Sequence, residues 1–138
     1  MDSGASSSGN GRPLVERIRR GELSSRDCPS REVLKHATSL WGVLALIALR
    51  DGTHRFSDLR RKAGDVSEKM LAQTLHALET DGFVERKSYP VKPPHVEYRL
   101  TEMGRELAEH VATLAVWIET NLFRVMSARR NRVAIDHP

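Results

Sequence analysis

A single cysteine, Cys28, stands in this 138-residue chain, so no internal disulfide framework holds it together and a reducing compartment suits it. Long apolar runs are missing too. The longest, around "LWGVLALIAL", covers about ten residues, roughly half of what a membrane-spanning helix needs. No apolar signal-peptide core opens the chain, so a cytoplasmic protein without a membrane partner is expected. The six histidines are scattered, with no HxH, HxxxH or CxxC spacing, which argues against a clustered metal centre. The same scatter gives no nucleophile–base grouping, so no enzyme is expected. No convergent polar group marks a small-molecule pocket, and any effector stays unknown.

Charge is what the chain has, unevenly spread. The net charge of +4 permits an anionic partner without demanding one. Residues 50–99 carry 10 Lys/Arg against 8 Asp/Glu, with His54, His76 and His95 in addition. Residues 100–123 reverse this, with Arg105 against Glu102, Glu106, Glu109 and Glu119. Arg124, Arg129, Arg130 and Arg132 make the end basic again. A polyanion can meet the middle of the chain; the acidic stretch needs another role.

Periodicity divides the chain. Residues 1–26 open on "DSGASSSGNGRP", a Gly/Ser-rich stretch expected to be a disordered tail, with at most a helical turn in "LVERIRRGEL". Folded structure is expected over 27–129, with 130–138 as a second tail. Pro29 suits the first turn of a short helix holding Val33, Leu34, Ala37 and Leu40. "WGVLALIALRDG" reads as a buried central helix ending at Gly52. A short extended piece then leads to a helix from about Ser57, with Phe56, Leu59 and Ala63 inward and Gly64 at its end.

The next stretch, "SEKMLAQTLHALETDGFV", has two faces. At about 100° per residue, Leu71, Leu75 and Leu78 form one apolar stripe, while Lys69, Gln73 and His76 fall opposite with Ala72 beside them. Ser67 reads as its N-cap and Asp81-Gly82 as its stop. Two short helices around a Gly-containing turn make a helix-turn-helix pattern. Two β-like runs follow, Phe83–Tyr89 and His95–Leu100, joined by the stiff "PVKPP"; a hairpin there is a wing. The last element, 101–129, reads as a helix of roughly 40 Å, capped at Thr101-Glu102. Its stripe of Leu107, Val111, Leu114, Ile118, Leu122 and Val125 is too long for so small a body to cover.

From Cys28 to about Arg105, and more loosely to Arg129, the chain resembles the HxlR-type transcriptional regulators. The matching pieces are Cys28-Pro29, the Trp41 helix ending "LRDG", "RFSDLRRKAGDVSEKMLAQTLHALETDGFVERKSYP", "PPHVEYRLTEMGREL" and the long terminal helix. The resemblance implies a mainly α fold with a small β-hairpin wing: a winged helix-turn-helix with a C-terminal dimerisation helix. It further implies a homodimer that binds double-stranded operator DNA without a cofactor. The departures are a longer tail before Cys28, and His95 where a permanently charged residue is usual.

In that geometry Lys69 and Gln73 are expected to reach base edges in the major groove. His76 is expected to meet backbone or nothing, and Ser67 to leave the helix amino end open to phosphate. Arg60 and Arg61, with Lys62, lie on the helix that crosses the backbone, where one or two of the three can contact it. Lys92 at the wing tip and His95 are phosphate candidates, and Arg55 is a weaker one. Cys28, at a helix start between Arg26 and Arg31, is a candidate redox or electrophile sensor. Trp41, Trp117, Phe56 and Phe123 are expected in the core or the dimer seam. The two-fold axis implied by the terminal stripe predicts an inverted-repeat operator. The competing reading is a winged-helix protein-interaction module.

Overall fold

The computed structural model describes residues 13–21, 29–64 and 66–136. Helix α1 (Leu14–Arg19) precedes α2 (Pro29–Thr38) and α3 (Leu40–Ala48), which a short 3₁₀ turn, Leu49–Asp51, extends. Strand β1 (His54–Arg55), α4 (Phe56–Ala63), α5 (Glu68–Thr80), β2 (Val84–Tyr89) and β3 (His95–Leu100) follow. Helices α6 (Glu102–Thr120) and α7 (Leu122–Asp136) end the chain. No single helix among the described residues is long and apolar enough to cross a membrane. The pair α2–α3 passes that test only jointly, and it is bent by 68°.

The core forms where the apolar stripes converge. Leu46 and Leu49 from α3 and its 3₁₀ extension, Leu59 from α4, and Leu71, Leu75 and Leu78 from α5 are fully buried. Val84, Tyr98 and Leu100 close the core from the sheet, and Ala108 and Val111 close it from α6. The three strands are antiparallel in the order β1-β3-β2, with Val84 opposite Leu100 and Tyr89 opposite His95. Helix, turn, helix and hairpin thus follow the expected order, and β1 adds a third strand. The Lys92–Pro93 peptide in the wing is cis.

Three boundaries differ from the sequence expectation. Leu14–Arg19 is helical inside the segment read as a disordered tail. The terminal helix is not one rod: it breaks at Asn121, whose Nδ2 donates to the Trp117 carbonyl at 2.8 Å. Asx side chains compete for backbone groups in this way, so an Asn inside a helix invites a break. The chain then stays helical through Asp136, past the limit at 129 and into the expected second tail.

Two joints set the wing against α5 and α6. At the end of α5, Gly82 adopts φ +85°, and Phe83 N donates to the Leu78 carbonyl at 2.9 Å while Gly82 N donates to Glu79. That pair of bonds is a Schellman stop, and it turns the chain directly into β2. At the start of α6, the Thr101 hydroxyl accepts from Gly104 N at 3.0 Å and donates to the Gly82 carbonyl at 2.6 Å. Thr101 N also donates to the Phe83 carbonyl at 3.0 Å, so α6 is fastened to the root of the wing. Farther along, the Arg50 guanidinium forks onto Glu109, at 3.0 and 3.3 Å, tying the 3₁₀ turn to α6.

Candidate nucleic-acid interface

Helix α5 is fixed from within. Ser67 caps it, its hydroxyl accepting from Met70 N at 3.0 Å. Leu71, Leu75 and Leu78 are 1%, 0% and 0% exposed, which leaves the helix no rotational freedom. Lys69, Gln73 and His76, opposite that stripe, are exposed, and none makes a hydrogen bond or ion pair with another described residue. Three free donor-bearing side chains on a rigid helix are poised to meet something outside the chain.

The cations of α4 are not equivalent to them. Arg60 Nε donates to the Val66 carbonyl at 3.1 Å, and its Nη1 pairs with Glu68 at 3.3 Å. Arg60 therefore clamps the turn between the two helices. Arg61 pairs with Asp58 one turn earlier yet remains largely exposed. Lys62 turns back toward β1, where His54 is 8% exposed. The Gly52 carbonyl accepts from His54 Nδ1 at 2.7 Å, so Nε2 is left to accept from the Lys62 ammonium at 2.8 Å. Sequence could place these three residues on α4 but could not show that each already has a partner.

The wing separates bound charge from free charge. Arg99 Nε donates to Glu85 at 2.6 Å across the ladder. That hydrogen bond, reinforced by the guanidinium charge, holds the Glu85 carboxyl below the ordinary carboxylate range, and Glu85 raises Arg99 in return. His95 stacks on Tyr89, with ring centroids 4.8 Å apart, and pairs with Glu97 at 3.2 Å. It is half-buried and structural in setting. Lys92 at the tip is exposed and makes no contact of this kind among the described residues, and the same holds for Arg55 and Arg86. Arg86 was not singled out from sequence; it is exposed although it stands opposite the buried Tyr98, because the strand has run past the core there.

The terminal stripe splits. Val111 is only 6% exposed within its own chain and is committed to its own core, while Leu107 packs against that core and is partly buried. Beyond them, Leu114 is 50%, Ile118 47% and Leu122 42% exposed, while Val125 is half-buried. Trp117 and Phe123 are 55% and 78% exposed, which rules out the core for both. Trp41 and Phe56 do pack on the core. Cys28 lies outside the described residues.

A helix-turn-helix packed under a β-wing, with an open donor face on its second helix, defines a winged helix-turn-helix transcriptional regulator. Residues 37–126 match the HxlR-like helix-turn-helix family. The chain belongs to that family. It is 63% identical over 121 residues to the uncharacterized HTH-type transcriptional regulator YtfH of Escherichia coli (strain K12), an alignment covering 88% of this chain and 96% of the relative. The solved structure of the regulator ytfH from Salmonella typhimurium superposes with a TM-score of 0.75 at 68% identity, covering 78% of this chain and 96% of that one. The redox regulator HypR in its reduced form gives 0.65 at 35% identity, covering 72% and 99%. These relatives are regulators of transcription, not enzymes.

Proposed function

We propose that this chain acts as a homodimer that binds a specific double-stranded DNA operator and regulates transcription from it. The observation that carries this reading is the outer face of α5, where Lys69, Gln73 and His76 stand free on a helix anchored by three buried leucines. A major groove about 12 Å wide admits one such helix. Lys69 can then donate to guanine O6 or N7, and Gln73 can bridge adenine N6 and N7. Lys92 on the wing reaches the flanking backbone, and Arg61 joins it if it exchanges Asp58 for phosphate. Ser67 contributes through its cap.

The dimer is supported by the apolar surface of Leu114, Trp117, Ile118, Leu122 and Phe123, which is too extended to stay wet on a stable monomer. A two-fold axis through it makes the operator an inverted repeat. The test is selection of bound duplexes from a random pool, followed by spacing changes. The selected sites should be inverted repeats, and about five inserted base pairs should abolish tight binding by moving half-sites to opposite faces. Binding that ignores both sequence and salt would favour the protein-interaction reading instead.

A second reading concerns the signal. HypR is a redox regulator, and Cys28 is this chain's one thiol. Cys28 then senses oxidants or electrophiles, and Cys28→Ser should bind DNA normally while ignoring diamide. A parent protein equally indifferent to diamide removes the sensor.

A further inference from the structure

Two concave surfaces line the helix-turn-helix, and they differ in what their polar groups are doing. The larger, about 510 Å³, is bounded by Ser57, Arg60, Arg61, Gly64 and Val66. Both of its guanidinium groups already have carboxylate partners, Glu68 and Asp58. The smaller, about 270 Å³, lies between α2 and α5 and is lined by Lys35, His36, Ser39, Gln73, Thr74 and Ala77.

In the smaller groove the wall is committed and the donors are not. Ser39 caps α3, accepting from Gly42 N and donating to the His36 carbonyl, both at 3.1 Å. His36 bridges the helices, at 2.6 Å from Asp81 and 3.2 Å from Glu32. The side chains of Lys35, Gln73 and Thr74 make no hydrogen bond or ion pair with any described residue. A cation, an amide and a hydroxyl therefore face one groove whose walls are held in place. Its volume falls short of the roughly 300–1,000 Å³ typical of organic-ligand pockets. It suits a smaller, oxygen-rich anionic group.

Gln73 tells which one. It belongs both to this groove and to the outer face of α5, so the groove opens beside whatever that face meets. With α5 in a major groove, the nearest anionic oxygens on its flank are those of the DNA backbone. We propose that Lys35, with Thr74, forms a phosphodiester-binding site that grips one operator strand beside the recognition helix, an inference that rests on the DNA-binding reading above. The carboxylates of Glu32 and Asp81, both in contact with His36, oppose an isolated anion. A phosphate carried on DNA that α5 already holds arrives at high effective concentration and overcomes that opposition.

The experiment compares parent, Lys35→Ala, Lys35→Arg, Thr74→Val and Gln73→Ala by fluorescence anisotropy. One labelled duplex is the selected operator and the other has arbitrary sequence; salt is varied. Loss of one phosphate contact should flatten the slope of log K against log salt by about 0.9. Lys35→Ala removes one such contact from each protomer of the dimer, so it should flatten the slope by about 1.8 and weaken both duplexes by the same factor. Lys35→Arg should restore the slope, Thr74→Val should weaken both duplexes more mildly, and Gln73→Ala should instead narrow the ratio between them. Lys35 and Gln73 are exposed, so the changes at these two should leave thermal unfolding unaltered. A Lys35→Ala slope equal to the parent's, with Gln73→Ala still losing preference, overturns the Lys35 site and leaves DNA reading by α5 standing. No salt-sensitive binding by the parent overturns both. Saturable amide shifts at Lys35 and Thr74 on adding inorganic phosphate at constant ionic strength would reassign the groove to a free anion.

Discussion

Replacing Gly104 by Ala should damage the joint between the wing and the terminal helix, although the change favours helix in isolation. A Cβ built on Gly104 lies 1.9 Å from the Phe83 carbonyl oxygen and 2.8 Å from its carbon. Both are backbone atoms, so no rotamer relieves the overlap. Helix α6 must move off β2, and the Thr101 bonds to the Gly82 and Phe83 carbonyls stretch with it. Overpacking costs about 1–3 kcal/mol, and two weakened hydrogen bonds cost about 1 kcal/mol each. Helix propensity returns about 1 kcal/mol. The net is a loss of roughly 2–4 kcal/mol, a large share of the ~5–15 kcal/mol typical of a small domain. Urea unfolding followed by circular dichroism measures it, with an unchanged slope confirming the same transition. A variant as stable as the parent would refute the close approach of α6 to the wing root.

Arg60→Ala should cost about 1 kcal/mol in urea, the value of its bond to Val66, and leave the salt dependence of DNA binding unaltered; Lys92→Ala should flatten that dependence without affecting stability. A flattened slope in Arg60→Ala would move Arg60 from the turn to the phosphates. The Glu85–Arg99 pair gives a pH signature. Its carboxyl is lowered by folding, so the pair's contribution is complete above the ordinary carboxylate range and fades as pH falls through the lowered value. Glu85→Gln should therefore melt slightly below the parent at neutral pH and match it in strong acid; a gap that persists there contradicts the pair. Leu114→Asp should yield a folded monomer in sedimentation, because Leu114 is half-exposed in the single chain, whereas Val111→Asp should unfold it. Two dimeric variants would place the seam elsewhere.

Period and punctuation made most of this fold legible. The leucine stripe of α5, the glycine stops at Gly52, Gly64 and Gly82, and the prolines between two β-like runs each constrain the backbone locally, and all appear where expected. What stayed hidden depends on partners that only the folding of turns, hairpin and helices brings together. Arg60 reads as a free cation until Val66 and Glu68 come beneath it, and His95 as a phosphate candidate until Tyr89 stacks on it. Val111 continues an apolar stripe whose first half turns out to face its own chain. Lys35 was not singled out from sequence, since only the packing of α2 beside α5 brings it next to Gln73.

The central claim is that the outer face of α5 reads DNA sequence, and Gln73→Ala tests it most directly. Affinity for the selected operator and for its single-base-pair variants is measured at one fixed salt concentration. The account predicts a loss of about 1–3 kcal/mol per half-site, and collapse of discrimination at one base pair in each, with other positions still discriminated. Unchanged affinity and unchanged discrimination at every position would contradict it.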